Sequence, residues 1–196
     1  LISTLIFGIL GFLFLREEPL IGLIMLYLFK HSIWSGLAPI KIISLGQKCY
    51  SRTFPERFNL YNFKNNDVRM PFDGCVSNYI SLCKLIYTNF VDFDKNLINK
   101  EQNIENSHLK IIFNHEKTKD ITNLKVQLNK RKNQFMNTIN NCIKDQTTII
   151  FFLCYTNYPE KLVNIILNKY PKLKFKIFVL DYEIYSIIKP VKKTDY

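Results

Sequence analysis

From residue 41 onward, short continuously apolar runs alternate with amphipathic stretches of helical period, and this alternation predicts the elements. Lys41–Leu45 (KIISL) reads as a buried strand that stops at Gly46, a turn residue. Cys49 to about Phe58 follows as a helix, which Pro55 requires to be short or kinked. Asn59–Arg69 is polar and Asn-rich, a loop. Ser77–Phe90 reads as a helix capped by Ser77, with Ile80, Cys83, Leu85, Ile86 and Phe90 as its apolar stripe. Val91–Ser107 is charged and lacks a period, which predicts irregular surface, and Leu109–Phe113 is the second strand. Ile121–Cys142 carries the longest helical pattern, with Ile121, Leu124, Leu128, Phe135, Ile139 and Cys142 at intervals of three, four and seven. Thr147–Tyr155 (TTIIFFLCY) is apolar throughout, as expected of a central strand covered on both faces. Pro159 opens a helix over Glu160–Lys169 in the N1 place, where its missing donor does no harm. Lys174–Leu180 is the last strand and stops at Asp181.

Strands separated by helices of this length imply an α/β fold: a three-layer, Rossmann-like arrangement with a mainly parallel sheet and helices on both faces. Residues 1–40 stand apart as a hydrophobic N-terminal helical segment, and 41–196 as the α/β domain. Leu1–Leu15 is almost wholly apolar, Arg16-Glu17-Glu18-Pro19 interrupts it, and Leu20–Phe29 is apolar again. Neither run reaches the ~20 residues that span a bilayer. A signal peptide fits poorly, because no basic region precedes the apolar run. A truncated membrane anchor, a helical hairpin and residues foreign to the folded domain all fit this pattern. The expectation is membrane contact through residues 1–29, with Ser35–Pro39 as a linker.

Composition changes this picture little. With 47% hydrophobic residues the chain of 196 has the means for one sizeable core. The net charge of +11 comes from 22 Lys and 5 Arg against 16 acids. Those lysines are dispersed among many Asn, and no compact Arg cluster accompanies them, so a nucleic-acid partner is not expected. Five cysteines (49, 75, 83, 142 and 154) form no CxxC pair and no metal-type spacing. They read as reduced thiols in a cytoplasmic compartment, with Cys83, Cys142 and Cys154 as small core residues. Neither a metal nor a cofactor is expected.

Ligands of open parallel sheets bind outside the carboxyl ends of the strands. Cys49, His115, Tyr155 with Asn157, and Asp181 each follow such an end. Cys49 falls in the first turn of a helix beside Lys48, where the helix dipole and the positive charge favour thiolate and hence nucleophilic attack. A lone cysteine is also a common packing residue. His115, after Phe113-Asn114, is placed to serve as acid/base; a surface loop histidine is the bland alternative. Asp73, in the turn Pro71-Phe72-Asp73-Gly74, is either an orienting carboxylate or an ordinary turn residue. Arg131 lies near the apolar stripe of its helix, where a guanidinium must pair with a carboxylate or a bound anion, or snorkel to solvent. Gly46, Lys48, Arg131, Asn157 and Asp181 together form the expected substrate-binding set. The chain carries no GK[ST] phosphate loop, GxSxG elbow or HExxH motif.

ISLGQKC (43–49), RMPFDG (69–74), a strand ending in FNH (113–115) and NKRKNQF (129–135) together resemble a family of uncharacterised domains designated papain-like cysteine peptidases. The resemblance covers about 41–182. It implies Cys49 as nucleophile and His115 as its partner, with Asp73 and Arg131 at the other matched positions. The family has Trp where Gly74 stands, and of its basic helix motif only Arg131 is kept. The β/α order suits a Rossmann-like sandwich better than a papain fold with its separate β-domain. A thiol-dependent hydrolase or transferase acting on an unidentified substrate is therefore expected. The rival expectations are a non-catalytic module binding an anionic ligand such as a nucleotide or sugar phosphate, and a membrane-surface protein.

Overall fold

The apolar run at residues 148–154 is the spine of the fold. The computed structural model describes residues 40–47, 50–57, 69–116, 118–154 and 159–180, all within one compact unit. The N-terminal 39 residues therefore lie outside the description, as do most of the predicted loop at 59–69 and the segment after Leu180. Strand β1 (Ile40–Ser44) runs parallel to β5 (Thr148–Cys154), and β5 runs parallel to β6 (Phe175–Leu180), giving the order β1-β5-β6. Every residue from Ile149 to Cys154 is buried, so both faces of this central strand are covered, as its unbroken hydrophobicity predicts. The ladder continues one step beyond β1, where Leu45 N donates to Phe152 O at 2.8 Å. The chain then turns sharply, with Gly46 at φ 78° and Gln47 at φ 69°. Helix α1 (Tyr50–Arg57) follows and accommodates Pro55 within only eight residues. It packs on β1 and β5.

The second sheet departs from expectation. β2 (Leu97–Lys100), β3 (Asn103–Asn106) and β4 (Ile111–Phe113) form an antiparallel meander. Residues read as irregular surface thus supply two strands, and the strand ending before His115 belongs to this sheet and not to the parallel one. The cause is local. The β2–β3 hairpin turns on Glu101, at φ 53°, with none of the Asn-Gly or Asp-Gly chemistry that marks such turns. Only Leu97 and Ile104 of the pair bury large apolar side chains, and the other buried residues are Glu105 and Asn106. Lys100 Nζ bridges to Glu105 across the turn at 3.1 Å.

Helix α2 (Tyr79–Tyr87) starts two residues later than predicted. Its cap is Asn78, whose Oδ1 accepts from Ser81 N at 2.8 Å, and not Ser77. The register of the buried face, Leu82, Cys83, Leu85 and Ile86, leaves Ile80 72% exposed and outside the stripe. Helix α3 (Ile121–Lys144) is capped by Asp120 and buries Leu124, Leu128, Phe135, Ile139 and Cys142, as their spacing predicts. Helix α4 (Glu160–Lys169) packs against α2. Lys169 Nζ donates to Ile86 O and Tyr87 O and so satisfies the open carbonyls at the end of α2. Among the described residues, no helix is long and apolar enough to cross a membrane.

Five phenylalanines form a contiguous cluster in the core. Phe90 lies 5.1 Å from Phe135, 5.5 Å from Phe93 and 5.7 Å from Phe72 between ring centroids, and Phe93 lies 5.8 Å from Phe113. The cluster joins α3, the antiparallel sheet and the turn at Phe72. Beside it, the fully buried Asn106 donates from Nδ2 to the carbonyls of Asp92, Phe93 and Lys95, and accepts from Leu109 N. The loop has left-handed residues at Asn89, Phe90, Asp92 and Asn96 and keeps backbone hydrogen bonds such as Phe93 N to Phe90 O and Lys95 N to Asp92 O; the Asn106 amide adds donors to its inner carbonyls. Asn106→Ala is expected to lower stability by about 3 kcal/mol, since it strands several buried groups at once; urea denaturation followed by circular dichroism measures the loss.

Candidate functional site

The predicted site residues fall into two groups. Lys48, Cys49, Asn157 and Asp181 lie outside the described residues. Gly46, Asp73, His115 and Arg131 are described, and three close approaches gather them. At the end of β1, a Cβ added to Gly46 would stand 2.8 Å from Ser77 Oγ and 3.1 Å from Phe72 Cβ. The adjacent Gln47 N donates to Ser77 Oγ at 3.0 Å. Val76 and Ile112 exchange two backbone hydrogen bonds, at 2.8 and 2.9 Å, which aligns the segment after the turn with β4. As a result His115 N reaches Gly74 O at 3.4 Å, and a Cβ on Gly74 would lie 3.3 Å from His115 Cβ. The Pro71–Gly74 turn thus sits between the mouth of β1 and His115, two residues past the end of β4. Ser77, predicted as a helix cap, serves instead to hold the β1 turn.

Asp73 is the most unusual group here. It is 1% exposed; its Oδ2 accepts from Met70 N at 2.8 Å, and Oδ1 has no hydrogen-bond partner among the described residues. Burial pushes its carboxyl up to about 6, against the lowering effects of the Met70 amide and of the charges of Arg52, Arg131 and Arg69. Three of the chain's five arginines act on this single carboxyl. Asp73 makes no hydrogen bond to His115, so it does not orient that ring in the manner expected. A carboxyl that titrates near neutrality is itself suited to proton transfer.

Arg131 is buried, 4% exposed, as its place on the apolar stripe demands, and it meets a carboxylate. Its Nη1 and Nη2 donate to Glu116 Oε1 and Oε2, each at 2.7 Å. This bidentate pair fixes the end of β4 to the middle of α3. It also means that Arg131 is already engaged and does not stand open to an anionic ligand. Glu116 was not singled out from the sequence, although a buried arginine requires such a partner and Glu116 is the residue directly after His115. Arg69 completes the group: Nη1 donates to His115 O at 3.3 Å and lies 3.8 Å from Glu116 Oε2. His115 itself is exposed.

Two further side chains were missed by sequence reasoning. Gln47, 8% exposed and left-handed, holds Nε2 without a hydrogen-bond partner, and Thr53 Oγ1 in α1 is likewise unpartnered among the described residues. Neither residue type signals itself in sequence, because burial of a polar group is visible only in the fold. Cys75, next to Asp73's turn, is fully buried, with Sγ directed at Phe72 O at 3.6 Å. Burial and the neighbouring Asp73 carboxylate push its thiol far above the ordinary range, so it stays protonated and inert. Among the described residues, no group of His, Cys, Asp and Glu could hold a metal.

Glu116→Gln leaves Arg131 as a buried charge without its counter-ion and is expected to cost about 3–5 kcal/mol, whereas removing both with Arg131→Met and Glu116→Leu costs less than the sum of the single changes. A double-mutant cycle by urea denaturation measures this. For Asp73, the folded state holds its proton more tightly than the unfolded chain does. Its contribution to stability therefore falls as pH rises from about 4 to 6, by about 1.4 kcal/mol per unit. Asp73→Asn should remove that fall, read as a flatter plot of stability against pH over the same range. The chain matches no protein-family model, no curated protein sequence and no solved structure, so the site stands on its own geometry.

Proposed function

We propose that this chain is a thiol-dependent hydrolase or transferase of the papain-like cysteine peptidase type. Cys49 attacks an acyl or similar electrophilic centre, and His115 serves as acid/base. The observation that carries the reading is the meeting of the β1 turn, the Phe72–Gly74 turn and His115, through Gly46 on one side and Gly74 on the other. Cys49 follows Gln47 by two residues and immediately precedes Tyr50, the first residue of α1. Asp73 contributes in this proposal through its charge and its proton, since its bonds go to Met70. The sheet is proposed as the centre of a three-layer, Rossmann-like sandwich, a reading supported by the burial of β5 on both faces and the packing of α1 on β1 and β5. A reducing, cytoplasmic setting is proposed from the free thiols of Cys75, Cys83, Cys142 and Cys154. Membrane contact through residues 1–29 is proposed on their apolar composition alone.

A non-catalytic module for an anionic ligand is the second reading, favoured by the partly exposed Arg69 beside His115. The two readings part at Cys49. If the thiol is the nucleophile, iodoacetamide should alkylate Cys49 faster than the other four cysteines between pH 5 and 8. His115→Ala should then shift that reactivity toward the ordinary thiol range of about 8.5. Peptide mass spectrometry resolves the five sites. Cys49 reacting no faster than Cys142 and Cys154 would mean that the thiol is packing, and the binding reading would take its place.

A further inference from the structure

We propose that Gln47, Ser77 and the Ser44–Ser51 pair are positioning residues for Cys49, fixing the chain on both sides of the two-residue span, 48–49, that carries the thiol. The inference deepens the functional reading above and rests on it for the chemistry of that thiol, though not for the bracing. Before the span, Gln47 N donates to Ser77 Oγ at 3.0 Å, and Ser77 is itself buried. The support under Ser77 is firm, because its neighbour Val76 exchanges two backbone hydrogen bonds with Ile112 of β4. After the span, the hydroxyl of Ser51, the second residue of α1, meets that of Ser44, the last residue of β1, at 2.6 Å. Both of these serines are buried. Consecutive Cα atoms are ~3.8 Å apart, so residue 49 stays within one such step of Tyr50 and two of Gln47. Two fixed ends this close leave the thiol's residue little room to wander.

A second observation sets this turn apart from an ordinary connection. Among the described non-glycine residues with positive φ, Gln47 alone is both polar and buried. Its backbone is left-handed at φ 69°, and its Nε2 is buried without a hydrogen-bond partner. Glycine would adopt this conformation without strain and would bury no amide. Costs of this kind persist where the surrounding structure holds a residue in place, and they gather at functional sites. Here they fall two residues before Cys49. The hydroxyl contacts carry no charge, so they act on where the thiol stands and not directly on its ionisation. The first N–H groups of α1 lack intrahelical partners, and they favour thiolate only while the sulfur stays beside them. Loosening either end of the span therefore returns the thiol toward its ordinary acidity.

The test is the pH profile of Cys49 alkylation by iodoacetamide in the full chain, compared between wild type, Ser77→Ala, Ser44→Ala and Gln47→Gly. Both serine variants should move the midpoint of the profile toward the ordinary thiol value of about 8.5. Each unit of that shift lowers the rate about tenfold at any pH below both midpoints. Cys75, Cys83, Cys142 and Cys154 are buried, so their continued protection shows in the same experiment that a variant is folded. Unchanged Cys49 profiles in both serine variants, with those four still protected, overturn the proposal and leave the catalytic reading standing. Should a serine variant expose them, Gln47→Gly decides, since glycine fits the left-handed turn without strain. Its profile moves with an undiminished urea midpoint if Gln47 positions the thiol, and stays in place if it does not. A wild-type Cys49 as inert as Cys142 defeats the catalytic reading. Hydrogen exchange at the Cys49 amide then decides the bracing: about tenfold faster in Ser77→Ala supports it, and an unchanged rate overturns it.

Discussion

The ring of Phe72 holds this structure together where it matters. It is completely buried between Phe90 and Phe93, and its backbone forms the second residue of the turn that carries Asp73 and Gly74. Burying an aromatic side chain of this size is among the larger single contributions in a small core. Because the same residue touches the β1 turn at Gly46, one apolar anchor positions a carboxyl, a glycine platform and a strand end together. The polar groups around it are consequences of where that ring must sit. Asp73 is buried because its neighbour is, and its carboxyl is raised for that reason.

Around this anchor the charges are arranged unevenly. Arg131 and Glu116 form a closed, buried pair that joins helix to strand, whereas Arg69 stands at the rim with loose contacts. A buried pair of this kind contributes position more dependably than it contributes stability. What it positions is the end of β4, and therefore His115. The candidate site thus draws on two sheets: the β1 turn follows a strand of the parallel sheet, and His115 follows a strand of the antiparallel one.

Much of the scaffold was legible from periodicity. The uninterrupted apolar run of β5 announced a central strand, and the intervals of three, four and seven in α3 located both its core face and the unusual place of Arg131. That arginine's need for a carboxylate was also readable, though which one was not, since Glu116 lies fifteen residues away across a turn. The antiparallel meander was not legible, because its hairpin uses Glu101 in a left-handed conformation and β2 exposes three of its four residues. Ile80 was misassigned because a helix starting at Tyr79 has only nine residues, and its buried face was set by Leu82, Leu85 and Ile86. Gln47 and Arg69 stand within the ISLGQKC and RMPFDG runs, but nothing in either run marks the contacts that the fold gives them. A polar side chain becomes distinctive only when the fold removes its water or leaves its partner already taken.

The close approach at Gly46 constrains how this sequence can vary. Three conditions hold there at once: a left-handed backbone, a hydroxyl at 2.8 Å and an aromatic stem at 3.1 Å from any added carbon. Trimming Ser77 to alanine would relieve the second and leave the first and third, and would also strip Gln47 N of its acceptor. Compensation therefore cannot come from one neighbour at a time. Positions 46, 72 and 77 form a set in which a change at one makes the others less replaceable, so the mouth of β1 is a stretch where mutational paths are blocked in pairs as well as singly. Engineering of this protein would begin more safely at the exposed face of α2 than at that turn.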